Sequence, residues 1–258
     1  MPLLYLKLLF TPLLMLSISL AARRWGGLLG GLLSGLPITS AGVMLFLTLE
    51  QGQGFALNAV PGALAGLVAV LAAYLAYFEL TRQRSAWVGG LGALGCYAVT
   101  ATVFSQGGPW LLYVAAALLL ITGLVKSTGR EPAPPLSRHL RSPAWVIPLR
   151  MLAATLLLLV VTASAHWLGP RVSGMLAPVP VIAWPLTVFS HIQGGRGELA
   201  AVVRGDAIGA VGVLAFYLLL RTVLGEWGVA LTFLGAVSLA VAVTLGLARL
   251  LNRPATAS

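Results

Sequence analysis

Three ionisable side chains lie within or at the ends of long apolar stretches: Glu50, His191 and Asp206. A carboxylate or an imidazole is costly to place in a membrane, so at such positions it often marks a proton or ion pathway. Glu50 and His191 end two stretches that match each other, and they are candidates for a proton relay at the two mouths of one pathway. Solvation at a membrane interface is the alternative, and it is the more common situation at the ends of spans.

Asp206 is the third candidate for proton coupling, with a competing structural role. It aligns with Ala63, which follows Asn58 and Pro61, a pair typical of a helix start. This alignment predicts that Asp206 and the preceding Arg204 lie at the start of a helix, with Asp206 in its first turn. A carboxylate there interacts favourably with the helix dipole, without any functional role.

A second set of residues interrupts two apolar stretches and could line a binding site. Proline removes an amide donor and frees a carbonyl, which must find a partner in a membrane. The half-helices created by such breaks present N-termini that favour an anionic group. Kinks between packed helices are the alternative explanation, and Trp184 could either line a cavity or only pack. The candidate substrate-binding residues are Ser34, Pro37, Thr39, Ser40, Pro178, Pro180 and Trp184.

The composition of the chain places these residues in a membrane protein. The 258 residues are 59% hydrophobic and only 9% charged, too few charges to cover a soluble domain of this length. The net charge of +10 lies mainly in loops, so membrane topology and anionic lipids explain it better than nucleic acid. No motif for a catalytic residue, a metal site or a cofactor appears. Nine transmembrane helices are predicted, at about 3–22, 26–50, 58–80, 86–104, 109–127, 145–168, 170–193, 205–223 and 227–250.

The two halves of the chain match at an offset of 143 residues. Because an odd number of spans separates the starts of the two copies, they must cross the membrane in opposite directions, as in many secondary transporters. We therefore expect an all-α polytopic membrane protein: a four-helix repeat in 1–104, a linking helix and a cytoplasmic Pro/Arg-rich linker in 105–144, and an inverted four-helix repeat in 145–258. Spans two and seven are predicted to be broken at mid-membrane. Matched pairs include Gly26 with Gly169, Pro37 with Pro180, Gly52 with Gly195 and Tyr74 with Tyr217.

The basic residues predict the orientation. With the N-terminus outside and the C-terminus inside, thirteen of the 16 Lys and Arg residues fall on the cytoplasmic side and three on the outer side. The location that we expect is a bacterial inner membrane.

These features together predict a small secondary transporter that works by alternating access, with proton coupling as an option. The scarcity of charge at mid-membrane favours a neutral, apolar or lipid-like solute, or an anion held by backbone amides. The expected partners are this solute and membrane lipids. The chain could also form a homodimer, and we expect no nucleic acid partner. The alternatives are a non-transporting subunit or scaffold of a larger complex, and a channel.

Overall fold

The computed structural model describes residues 35–131, 145–181 and 183–251, together with positions 5, 7–9, 12, 13, 16, 17 and 32. All regular structure in these residues is helical, and they contain no strand. The longer helices are α1 (Ile38–Gln51), α2 (Gln53–Leu80), α3 (Ala86–Ser105), α4 (Trp110–Thr128), α5 (Val146–Ala163), α6 (Ala165–Leu176), α7 (Ala183–Trp227) and α8 (Val229–Leu251).

Within the described part of the chain, five helices are long and apolar enough to cross a membrane: α2, α3, α4, α7 and α8. This confirms the prediction of an all-helical chain and is consistent with a helical membrane protein. The count of nine spans stays a prediction, since the predicted span 3–22 and the first part of 26–50 lie largely outside the described residues. The predicted cytoplasmic linker falls mostly on residues 132–144, which are outside them too.

The described residues have a turn before a helix start at each of the two places where the sequence predicts breaks. The chain turns at Gly35–Pro37, and α1 begins directly after Pro37. In the second half, α6 ends at Leu176 and α7 begins at Ala183, so that Pro178 and Pro180 lie in the gap. Proline is well placed just before or at a helix start, because the amide hydrogen that it lacks would have no helical acceptor there.

Glycines in left-handed backbone conformations set further bends. Gly52, between α1 and α2, has φ 90° and ψ 165°. Gly195 has φ 72° and ψ −161° and divides α7 into two helical parts, while Gly169 has φ 72° and ψ 169° within α6. These dihedral angles belong to a region that is almost closed to residues with a Cβ.

The core is built around α2 and the long second part of α7. Helix α2 packs against α3, α4, α6 and α7, and α7 packs against α8. A Cβ on Gly62 would collide with the carbonyl oxygen of Arg171, and one on Gly66 would collide with that of Met175, so α2 and α6 touch backbone to backbone. The outer helices expose large apolar side chains, among them Leu91, Leu119 and Leu234.

Candidate functional site

A small cavity lies where the two helix breaks meet. Its volume is about 50 Å³, room for a few water molecules. The start of α1, the middle of α2, the gap between α6 and α7, and α7 on both sides of Gly195 all contribute to its wall. The described residues that line it are Gly35, Leu36, Thr39, Ser40, Leu67, Val70, Leu71, Tyr74, Pro178, Pro180, Ala183, Asp206, Ala210 and Val213.

Most of the residues that the sequence singles out at the breaks meet at this cavity. Thr39, Ser40, Pro178 and Pro180 are in its wall. The Ser40 hydroxyl donates a hydrogen bond of 3.4 Å to the carbonyl of Ala177, which ties one break to the other. Pro37 is buried beside them without lining the cavity, and Ser34 lies outside the described residues.

Asp206 also lines the cavity, and the prediction that it lies in the first turn of a helix is wrong. It comes ten residues after Arg196, about three turns beyond the bend at Gly195, and only 5% of it is exposed. The prediction failed because Asn58 and Pro61 do not start a helix either: Pro61 lies inside α2, which begins at Gln53. In both halves the helix begins at the bent glycine, so the aligned residues lie deep within it.

The hydroxyl of Thr187 contacts the carboxylate of Asp206. The Oγ1 of Thr187 lies 3.5 Å from its Oδ2. The buried Tyr74 side chain lines the same wall, and its hydroxyl has no hydrogen-bond partner among the described residues. Sequence reasoning did not give Tyr74 a role in the site. The signal was available, because Tyr74 and Tyr217 match at the offset of 143, and both tyrosines are buried in the structure.

An aromatic stack connects the cavity with His191. Trp184 does not line the cavity, but its ring centroid lies 5.5 Å from that of Tyr74 and 5.3 Å from that of Tyr77. The Tyr77 hydroxyl lies 3.0 Å from Nδ1 of His191. His191 is not part of the cavity wall. Trp184 packs against the ring of Tyr74 without reaching the cavity.

Glu50 belongs to a separate cluster at the end of α1. Its Oε1 lies 2.5 Å from the Nζ of Lys7, which is buried and also donates a hydrogen bond of 2.6 Å to Thr162. The Lys7 ammonium lies 5.4 Å from the centroid of the Phe46 ring. The structure thus gives Glu50 a partner 43 positions away in the sequence, and Glu50 does not contact the cavity.

A second ion pair lies beside the bend in α7. Arg196 directs its Nε to Oε1 of Glu131 at 2.8 Å and its Nη1 to the carbonyl oxygen of Phe78 at 2.8 Å. The guanidinium carbon also lies 4.1 Å from the centroid of the Phe78 ring. Arg196 therefore joins the bend at Gly195 to the end of α2 and to the segment after α4.

The cavity wall combines one carboxylate and several hydroxyl groups with apolar side chains. Among the described residues there is no group of three or more His, Cys, Asp or Glu side chains that could hold a metal ion. Comparison with known protein families, with curated proteins and with solved structures finds no match for this chain.

Proposed function

We propose that the chain is a small secondary transporter of the bacterial inner membrane, which moves a small or lipid-like solute by alternating access. The observation that carries this proposal is the cavity at the meeting point of two broken helices. Transporters bind their substrates at such discontinuous helices, because the breaks expose backbone groups and the half-helices can tilt separately.

Matched contacts in the two halves support an inverted repeat as the basis of this movement. Gly66 packs against the ring of Pro178, and Gly209 packs against the backbone of Gly35. Adding 143 to the positions of Gly66 and Gly35 gives Gly209 and Pro178, so each contact is the counterpart of the other. In each half, a glycine of the long helix therefore packs against the break of the other half. Equivalent interfaces of this kind fit a mechanism in which one half rocks against the other.

Proton coupling is the part of this proposal that concerns Asp206, Glu50 and His191. Asp206 is in the cavity wall, where protonation changes the charge that a solute meets. Glu50 and His191 lie outside the wall, each close to one of the bent glycines, Gly52 and Gly195. Protonation of either residue would change the charge beside a bent glycine and leave the charge of the cavity wall unchanged.

The first test is a thermal-shift screen of solutes against the purified chain at two pH values. We expect at least one solute to raise Tm, and to be taken up by proteoliposomes when a pH gradient is imposed. With that solute, Glu50→Gln and His191→Gln should lose gradient-driven uptake and keep exchange of solute for solute. A chain that no solute stabilises, and that unfolds without a second membrane protein, would be a subunit and would contradict the proposal.

A further inference from the structure

Arg171 of α6 is a basic residue that has only neutral partners in the described part of the chain. Its Nη2 donates hydrogen bonds to the hydroxyl of Tyr113 at 2.8 Å and to the carbonyl oxygen of Phe104 at 3.4 Å. All six acidic side chains of the sequence belong to the described residues, and none of them forms an ion pair with Arg171 there. The positive charge of Arg171 is therefore not balanced by a carboxylate side chain of the protein.

The guanidinium of Arg171 is held in place, and part of its hydrogen-bonding capacity is unused. Tyr113 is fully buried, and its ring packs edge-on against Phe104 with the centroids 5.4 Å apart, which fixes both acceptors. Neither Nε, which is buried, nor Nη1 has a hydrogen-bond partner among the described residues. Nη1 lies 3.4 Å from the position that a Cβ on Gly107 would take, and Gly107 is exposed. The free N–H groups of Nη1 thus lie at an exposed loop.

This loop has the position and the neighbours of a membrane interface. Helices α3 and α4 are each long and apolar enough to cross a membrane, which would put the connection between them, 106–109, at a membrane surface. Trp110 begins α4, and Trp167, four residues before Arg171, is 83% exposed. Tryptophan is enriched at the level of the lipid headgroups, where its ring meets both apolar and polar surroundings.

A second arginine lies at the same connection. The guanidinium carbon of Arg221 is 5.2 Å from the centroid of the Trp110 ring. Within the described residues Arg221 forms no ion pair either, and the exposed Glu226, five residues later, pairs with neither arginine. Two positive charges without an acidic partner favour an anion from outside the chain, and the phosphate of phospholipids is the abundant anion at a membrane surface.

We propose that Arg171 binds the phosphate group of a membrane phospholipid, with Nη1 donating to the phosphate oxygens beside Gly107. A guanidinium suits this ligand because its planar N–H groups form strong, charge-assisted hydrogen bonds with phosphate. Leu111 and Leu112, which are exposed in the first turn of α4, offer apolar surface to the acyl chains. This site requires that the chain lies in a membrane and does not depend on transport, and its lipid is distinct from the solute of the cavity.

The test is thermal unfolding of the purified full chain in dodecyl maltoside, a detergent without phosphate. Added dioleoyl phosphatidylglycerol should raise Tm until the effect saturates. Dioleoylglycerol, which has the same acyl chains and no phosphate, should not raise it, and neither should inorganic phosphate, which has no chains.

Variants assign the effect to the site. Arg171→Gln should need about tenfold more phosphatidylglycerol for half of the rise in Tm, the loss expected for one charge-assisted hydrogen bond. Arg84→Gln is the matched control and should respond as the wild type does. Arg84 is exposed, lies at the connection between α2 and α3 at the other end of α3, and has no ion pair among the described residues.

Four results would overturn the proposal: no rise in Tm with phosphatidylglycerol, an equal rise with dioleoylglycerol, an equal rise with inorganic phosphate, or a wild-type response in Arg171→Gln. The second would assign the effect to the acyl chains, and the third would assign the site to a free ion. If Arg171→Gln does not fold, the wild type is cross-linked with a phospholipid that carries a photoreactive headgroup. Cross-links should then fall on 104–113, and cross-links confined to 81–85 would contradict the site. Uptake of a solute by proteoliposomes tests transport separately.

Discussion

Gly52 and Gly195 lie 143 positions apart and adopt nearly the same unusual backbone conformation, with φ 90° and 72° and ψ 165° and −161°. Each follows a short helical segment that begins at a break, and each precedes a long buried helix. Under the proposed mechanism these glycines are equivalent bends on which the two half-helices turn.

Alanine at either bend should therefore destabilise the chain. Gly52→Ala and Gly195→Ala force a Cβ into a conformation that costs about 1–3 kcal/mol, although no atom lies within 4 Å of either Cβ position. Gly54→Ala is the matched control, because its Cβ also meets open space but its backbone is helical. Thermal unfolding in detergent measures the difference, and equal Tm values for all three variants would show that the bends carry no strain.

The crossing of α2 and α6 should tolerate no side chain. Gly66→Ala would press a methyl group against the carbonyl of Met175 and the ring of Pro178, which should cost about 1–3 kcal/mol by overpacking and narrow the cavity. Gly95→Ala, on the outer helix α3 with no atom within 4 Å of its Cβ, should leave Tm unchanged or raise it. Tm in detergent is again the measurement, and a Gly66→Ala variant as stable as Gly95→Ala would contradict the close packing.

The ion pair of Lys7 and Glu50 should show energetic coupling. Glu50→Gln leaves a buried ammonium without its counter-charge, which should cost about 1–3 kcal/mol, less than for a fully buried pair because the Glu50 side chain is 24% exposed. Lys7→Met should cost a similar amount. Denaturant unfolding of both single variants and the double variant forms a cycle, in which the double variant should lose less than the sum; additive losses would rule out the contact.

Arginine at position 196 should not be replaceable by lysine. The guanidinium pairs with Glu131, donates to the carbonyl of Phe78 and lies over its ring, three contacts that a single ammonium cannot make together. Arg196→Lys should therefore lower Tm nearly as much as Arg196→Gln. Arg84→Lys is the control, since Arg84 is exposed; a Tm for Arg196→Lys equal to that of the wild type would refute the planar contacts.

The breaks and the class of fold could be predicted from sequence, because their causes are local. Proline removes a donor wherever it occurs, so Pro37, Pro178 and Pro180 indicated interrupted helices without knowledge of any neighbour. Long apolar stretches likewise indicate helices that can cross a membrane, whatever packs against them. Matching the two halves then predicted that both breaks belong to one site.

The rest of the site depends on contacts between distant residues. Asp206 lines the cavity in a helix that bends at Gly195. A glycine in a sequence does not reveal whether its φ angle is positive, so the bend could not be predicted. Trp184 packs behind Tyr74 because the register of α2 places two tyrosines beside it. The partner of Glu50 is Lys7, which belongs to a different predicted span, and residue spacing alone gives no such pairing.

Cysteine labelling shows whether the cavity opens alternately to the two sides of the membrane. The chain has one cysteine, Cys96, so Cys96→Ala provides a background for Val70→Cys in the cavity wall. Leu119→Cys, on the exposed apolar surface, is the control that should stay unreactive in the bilayer. We predict that a membrane-impermeant maleimide labels Val70→Cys both in right-side-out and in inverted vesicles. Labelling from one side alone, or from neither, would contradict alternating access.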